Sequence, residues 1–402
     1  MRPRIVLYYN DLVFTPSESF LFKDFGQVPF VLSELHGADL EYWIAATRPN
    51  PDFTHFRGRP VRQFGKVLPA LPSRLDPLNN APLLRAIRRD RGMTHLVMFP
   101  FTPFTDAAVA RLARHVRPDV KIILKLDANI DYLTRITQDW QRYRSHPARH
   151  LRQSHHYRAL LQSADVILCE TDACHQLLGA GFLGLDLGDR LVQTFSGLSS
   201  RWLASLGIES VPFERRRRSI VVSGRISSPE KDTGLVLTAG PPPPGWTIEF
   251  VGEVDAALAQ TIARHRAADP DFDRHYRFHG AVMDKRAYFE ILMNARALLM
   301  NSRGGEGFPN VFAEAHACGL FIVTSDVSGA AEATGGGRWG IVYPPGNAAA
   351  LRSALAALPA QVEAAGGDPA PPALRQRFVW EHSLDQPAIR RLFHRPSPAT
   401  AG

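Results

Sequence analysis

Along most of this 402-residue chain, short apolar runs alternate with longer segments of helical character. The runs fall at 5–9, 40–46, 95–99, 120–126, 166–169 and 191–195, then again at 220–223, 247–251, 276–279, 297–300, 321–324 and 341–343. A strand that is apolar on both faces belongs in a sheet covered on both sides, and strands alternating with helices build parallel sheets from β-α-β units. Two successive sets of such runs predict an α/β chain of two doubly wound domains, and the length is sufficient for two cores. Between 197 and 218 the chain carries Pro212 and the run Arg215-Arg-Arg-Arg218, both poor material for a packed core. The expected division is a first domain at 1–205, a second at 206–372, and a last amphipathic helix at 373–395 that packs back on the first domain. The stretch 366–372 is rich in Gly and Pro, 241–244 reads as a rigid proline loop, and the tail from Arg395 is expected to be disordered.

The formal charge is +8, with a pI near 9.6. The basic excess lies in the first half: Arg85, Arg88, Arg89 and Arg91, then Arg111, Arg114 and Arg117, then Arg142, Arg144, Arg149 and Arg152 among several histidines. Such clusters are either solvated helix faces or a surface for an anionic partner. No zinc-finger spacing and no aromatic–basic RNA-binding motif accompanies them, so nucleic acid is not an expected partner. The cysteines Cys169, Cys174 and Cys318 have no metal spacing, and Cys169 and Cys318, in apolar segments, are expected as buried thiols. No apolar run approaches the ~18 residues of a membrane span. The N-terminal run at 5–9 is too short for a secretion signal. A cytoplasmic protein is therefore expected, with peripheral contact at the inner face of an anionic membrane as an open possibility.

In open α/β sheets, ligands sit outside the carboxyl ends of the strands. The run 297–300 ends in a polar, Gly-rich loop from Asn301 to Gly307, and Pro309 then suits the first turn of a helix ending at Gly319. Free amides at that helix start attract an anion. Glu306 lies at its mouth and Glu314 one turn inside. Two carboxylates beside an anion site suit a polyol joined to a phosphate, although an E-x(7)-E spacing alone more often marks a solvated surface helix.

The residues around the two glutamates make the distinction. Asn301-Ser-Arg-Gly-Gly-Glu-Gly-Phe-Pro-Asn-Val-Phe-Ala-Glu-Ala-His-Ala-Cys-Gly319 resembles the donor motif of glycosyltransferase family 4, a retaining family with the GT-B fold. The resemblance continues through Thr324-Ser-Asp-Val-Ser-Gly329, Glu332 and Gly340-Ile-Val-Tyr-Pro-Pro-Gly346, and is strong over 218–350. It implies two Rossmann-like doubly wound domains facing a central cleft. It also implies a hexosyltransferase-type enzyme of glycan or polysaccharide biosynthesis. Such an enzyme moves a sugar from a nucleoside diphosphate sugar to a glycan, lipid-linked or cell-envelope acceptor, with no metal and no other cofactor.

The resemblance also implies roles. Glu306 would contact the transferred sugar, with Gly307, Phe308 and Pro309 shaping its pocket and the amides of Asn310 and Val311 nearby. Glu314 would hold the ribose. Val222-Ser-Gly224-Arg225 followed by Pro229-Glu-Lys231 is similar to the family's G-R-x-x-x-E-K element, whose Arg and Lys hold the diphosphate; here one extra residue separates Arg225 from Lys231. Fixed cations at that place stabilise the charge that develops on a leaving diphosphate. Val282, after His279-Gly280, marks where the family contacts the base; His279 itself is expected to pack.

The first half departs from the family. Its first strand is followed by Tyr9-Asn-Asp-Leu, and only Gly26 stands where amides could approach the diphosphate. Lys125-Leu126-Asp127 replaces a usual histidine, making Asp127 either a group near the reacting centre or a helix cap. Ser196-Gly197 stands for Asn-Gly. The segment with Asn10, Asp11, Phe14, Glu18, Ser19, Phe20, Phe22 and Phe25 either grips a ligand or buries itself. These departures support an alternative function, a non-catalytic GT-B subunit that binds a sugar nucleotide.

Overall fold

The computed structural model describes residues 2–10, 15–68, 73–366 and 369–394. The chain divides into two compact units, one of Met1–Phe195 with Glu381–Gly402 and one of Ser196–Trp380.

The first unit holds β1 (Arg4–Asn10), β2 (Asp39–Ala46), β3 (His55–Phe56), β4 (Arg59–Gly65), β5 (His95–Met98), β6 (Lys121–Lys125), β7 (Val166–Cys169) and β8 (Leu191–Gln193) in one sheet, ordered β3-β4-β2-β1-β5-β6-β7-β8. Every pairing is parallel except that of β3 with β4. Residues of both parities are sealed in β1, where Ile5, Val6, Leu7 and Tyr8 are all fully buried. That is the pattern of a sheet with helices on both faces.

The aromatic segment after β1 is partly internal. Phe20 and Phe25 pack on Tyr9, with ring centroids 4.9 and 4.7 Å away. The buried Asn10 amide donates to Asp76 and Thr102, at 2.7 Å each. Asp11, Phe14, the Ser19 side chain and the tail from Arg395 lie outside the described residues.

Residues 196–205 belong to the second unit, so the division falls ten residues before the expected position at 205. The cause is a local bridge. Leu198 N–H donates to the Phe378 carbonyl at 2.9 Å, and Trp380 N–H to the Leu198 carbonyl at 3.2 Å. The stretch expected as one helix at 373–395 forms three short ones, Pro372–Gln376, Trp380–Ser383 and Pro387–Phe393. The bridge separates the first two, and Pro387, which has no N–H, starts the third. The arginine run also differs from its reading as linker. The Arg216 guanidinium donates to the Cys318 and Gly319 carbonyls at 2.8 and 3.0 Å, capping the C-terminus of the helix Asn310–Cys318.

The helix Pro387–Phe393 docks through histidines. Phe393 is stacked between His36 and His95, with centroids 4.0 and 4.1 Å away, and His95 Nε2 bonds the Leu392 carbonyl at 3.0 Å. Burial pushes the His95 imidazole down to about 4. The unfolded chain takes up this proton near pH 6.5 and the folded one only near 4, so the neutral form loses its advantage as pH falls through that window. Asp106, pushed up to about 8 by burial, acts with the opposite sign. The informative quantity is therefore the stability difference between the protein and its His95→Gln variant. It is expected to shrink by up to about 3 kcal/mol between pH 6.5 and 4, as measured by urea unfolding across that range. A difference independent of pH would refute the buried, neutral state of His95.

The second unit holds β9 (Ser219–Ser223), β10 (Thr247–Val251), β11 (Tyr276–Phe278), β12 (Ala297–Met300), β13 (Phe321–Ser325) and β14 (Gly340–Tyr343), ordered β11-β10-β9-β12-β13-β14 and parallel throughout. Counted within the unit, the order is the doubly wound 3-2-1-4-5-6, and the direction of winding reverses between β9 and β12. A crevice forms at such a reversal, because the loops after the two central strands leave towards opposite faces. No described helix in either unit is long and apolar enough to cross a membrane.

Candidate active site

The reversal point of the second unit is flanked by the loop after β9, which carries Gly224, Arg225 and Lys231, and the loop after β12, which runs from Asn301 to Pro309. Both leave the carboxyl end of the sheet. The sequence-predicted residues on the two loops are thus neighbours in space as well as in motif.

The β9 loop turns sharply. Gly224 has φ of 123°, a conformation that a side chain resists, and its N–H donates to the Val251 carbonyl at 3.0 Å. Arg225 is exposed and forms no ion pair among the described residues. The extra residue between Arg225 and Lys231 is accommodated in the short 3₁₀ turn Pro229–Lys231, followed by Asp232 at φ 44°.

That turn is tied down from the β12 loop. The Asn301 amide donates to the carbonyls of Lys231 and Asp232, both at 2.9 Å, and Tyr343 O–H donates to Asn301 Oδ1 at 2.7 Å. Arg303 N–H donates to the Glu230 carbonyl at 2.9 Å, and its guanidinium pairs with Asp232 at 2.7 Å. The ammonium of Lys231 is thereby held 2.8 Å from Glu306 Oε1, with side chains only 14% and 20% exposed.

Beyond Glu306 the helix spans Asn310–Cys318 and stops at Gly319 in the left-handed conformation, the start and stop that the sequence suggests. Pro309 is the N-cap residue, one position earlier than a first-turn proline, and provides no side-chain cap. The leading amides at Asn310 and Val311 therefore have neither an intrahelical partner nor a side-chain cap from Pro309. Asn310 Oδ1 is buried with no hydrogen-bond partner among the described residues. Phe308 directs its ring inward, against Phe312 and Phe378 at 5.6 Å each. Gly307 and Phe308 can thus face a ligand only through their backbone.

Glu314 is reached by a chain of hydroxyls that sequence reasoning missed. Tyr288 O–H donates to Glu314 Oε2 at 2.5 Å, and Ser223 Oγ lies 2.7 Å from the same phenol. Burial and the Glu314 charge hold the Tyr288 phenol well above its ordinary value, so it remains a donor. The signal available was weak: Tyr288 sits in the amphipathic helix Lys285–Met293, where an aromatic reads as core.

Val282 is half-buried after β11, two strands from β9, about 10 Å away at ordinary strand spacing. His279 packs as expected, with Nε2 2.8 Å from the buried Glu249, which also pairs with Arg217 at 3.2 Å.

Two first-unit expectations change. Gly26 lies inside the helix Asp24–His36, its N–H donating to the Lys23 carbonyl and its carbonyl accepting from Tyr42. A β-carbon there would meet the Leu21 carbonyl oxygen at 1.9 Å. Gly26 is therefore a packing glycine, with no amide to offer a diphosphate. Asp127 is exposed after β6, but the cap of the next helix is Asn129, whose side chain accepts from Tyr132 N–H at 2.8 Å. Beneath Asp127 the fully buried Lys125 pairs with Glu170 and lies 3.7 Å from Asp24. Burial opposes its charge, but the carboxylates outweigh burial and raise its pKa. Glu170 was missed, although a glutamate directly after an apolar strand was the signal.

Taken together, the sheets and their helices define a Rossmann-type doubly wound architecture built twice. Residues 217–361, within the second unit, match the family model for glycosyl transferases group 1. Solved structures resemble the chain over nearly its full length. Sucrose-phosphate synthase from Thermosynechococcus elongatus is 16% identical, with TM-score 0.62 over 97% of each chain. HepE from Anabaena in complex with UDP is 16% identical, with TM-score 0.61 over 97% of this chain and 98% of that one. The lipopolysaccharide outer core galactosyltransferase WaaB is 13% identical, with TM-score 0.60 over 96% and 98%. At such identities the likeness establishes the fold, which is GT-B. No curated protein matches the sequence.

Proposed function

We propose that the protein is a retaining, metal-independent glycosyltransferase of family 4 type. It transfers a hexosyl group from a nucleoside diphosphate sugar to a hydroxyl of a glycan or lipid-linked acceptor. The observation that carries this reading is the Lys231–Glu306 pair, held across the switch point by the Asn301 clamp. A cation and a carboxylate fixed side by side at a helix start match a diphosphate joined to a polyol.

In this reading Arg225 and Lys231 grip the diphosphate and stabilise the charge it gains as the sugar leaves, doing so without a metal. Glu306 accepts from hydroxyls of the transferred sugar, beside the amides from Gly307 to Val311. Glu314, oriented by Tyr288, accepts from the ribose hydroxyls. The backbone near Val282 meets the base. Retention follows from front-face attack, in which the leaving phosphate takes the acceptor proton, so no carboxylate nucleophile is required. HepE is described in complex with UDP, which makes uridine the first base to test.

A thermal-shift panel of UDP-, GDP- and ADP-sugars tests the donor assignment, and stabilisation by none of them would refute it. Glu314→Ala is expected to weaken nucleotide binding by about tenfold or more, the loss of charge-assisted hydrogen bonds, as read by calorimetry. Glu306→Gln is expected to spare that affinity and lower turnover. Product analysis with a hydroxyl acceptor then separates an enzyme from a binding subunit, because the subunit would hold nucleotide without transfer or donor hydrolysis.

A further inference from the structure

A second charged cavity lies in the first unit, between β4 and the helix Ala81–Arg89. Its volume is about 460 Å³, and its walls include Arg62, Phe64, Pro82, Arg85, Arg89 and Asp90. The sequence places these side chains by simple periodicity. Arg62 and Phe64 are two apart on a strand, and Arg85 and Arg89 four apart on a helix, so each pair shares a face. Leu83 and Ile87, on the helix's other side, are buried in the core.

The charges around this cavity are unbalanced. Arg85 spends one donor on the Ala81 carbonyl at 3.3 Å, and neither Arg85 nor Arg89 has an ion pair among the described residues. Asp90 does not compensate them. Both its oxygens accept from Arg4, at 2.9 and 2.7 Å, and Oδ1 also accepts from the amides of Gly92 and Met93. Arg62 has only a distant share of Glu41, at 3.5 Å, while Arg4 lies 2.5 Å from the same carboxylate. Its guanidinium is braced 5.0 Å over Trp43 and 5.4 Å over Phe64. Like charges one helical turn apart cost a helix stability. An anion between them would reverse that cost.

We propose that this cavity binds a phosphate-bearing ligand. The planar forks of Arg62, Arg85 and Arg89 take the phosphate oxygens, and Phe64 and Pro82 contact what the phosphate carries. The site is independent of the nucleotide site in the second unit and does not rest on that reading.

The test is calorimetry with inorganic pyrophosphate on the full chain, in the wild type and in Arg85→Gln/Arg89→Gln, both carrying Lys231→Ala so that the diphosphate grip proposed for the second unit does not contribute. Saturable, salt-sensitive binding is expected in the wild type, and binding at least about tenfold weaker is expected in the double variant. Because both replaced side chains are exposed and repel each other, the melting temperature should not fall. Binding should persist in Lys231→Ala, which separates this site from the nucleotide site. Co-sedimentation with phosphatidylglycerol or phosphatidylcholine vesicles identifies the source of the phosphate. Retention on the anionic vesicles that is lost in the double variant supports a lipid headgroup. Pyrophosphate binding without retention supports a soluble ester. Equal pyrophosphate binding by the wild type and the double variant overturns the proposal.

Discussion

Lys231→Ala is expected to lower the turnover of sugar transfer by about two to three orders of magnitude, the usual loss when one preorganised charge is removed from a transition state. The expectation rests on how much structure fixes this ammonium. The turn that carries it is held by the Asn301 amide on two carbonyls and by Arg303 on Glu230 and Asp232. The ammonium rests 2.8 Å from Glu306, and a bound diphosphate would replace or share that carboxylate. The gain from Lys231 grows as charge moves onto the leaving group, so kcat should fall far more than nucleotide affinity. Lys231→Arg should recover little, since a planar fork on a pinned turn cannot occupy the position of a compact ammonium. Steady-state kinetics with the donor found by the thermal-shift panel provides the measurement. A kcat within twofold of wild type would remove Lys231 from the mechanism.

Much of this architecture was legible because burial on both faces leaves a continuous apolar run. β7, β10 and β12 occupy the same residues as their runs. The hairpin of β3 and β4 left no such trace. Polar Arg59, Arg62 and Gln63 are interspersed with Val61 and Phe64 on both faces, and only Val61 is buried in β4, as befits a strand near the sheet edge. The loop and helix that carry Glu306 and Glu314 were legible for a related reason: the glycines and the proline there have local backbone roles. What holds those residues was not. Tyr288, Asn301 and Tyr343 act across elements far apart in sequence, and their types alone fit an ordinary core or loop. Arg216 shows the converse, since an arginine run reads as linker until a helix C-terminus is found within its reach.

Gly252 is the other residue the motif does not announce, and Gly252→Ala is expected to damage both stability and turnover. It follows β10 immediately, with its N–H on the Gly280 carbonyl at 2.9 Å. A β-carbon there would lie 2.1 Å from the Gly224 carbonyl oxygen and 3.0 Å from the Ile226 side chain. The carbonyl cannot swing aside cheaply. It accepts from Ile226 N–H at 2.9 Å, and Gly224 N–H is fixed on the Val251 carbonyl at 3.0 Å. The turn bearing Arg225 must therefore move outward, at an overpacking cost of about 1–3 kcal/mol. In the proposed role of Arg225 as a diphosphate ligand, a displacement on the order of 1 Å can cost about a hundredfold in rate. Gly234→Ala is the matched control. It lies in the helix Thr233–Thr238 with nothing within 4 Å of where a β-carbon would sit, and should be neutral or stabilising by up to about 1 kcal/mol. Thermal melts and kinetics on the two variants distinguish a general intolerance of the unit from this one close approach. If Gly252→Ala melts and turns over like the wild type, the Gly224 turn is not the rigid platform on which Arg225 is held.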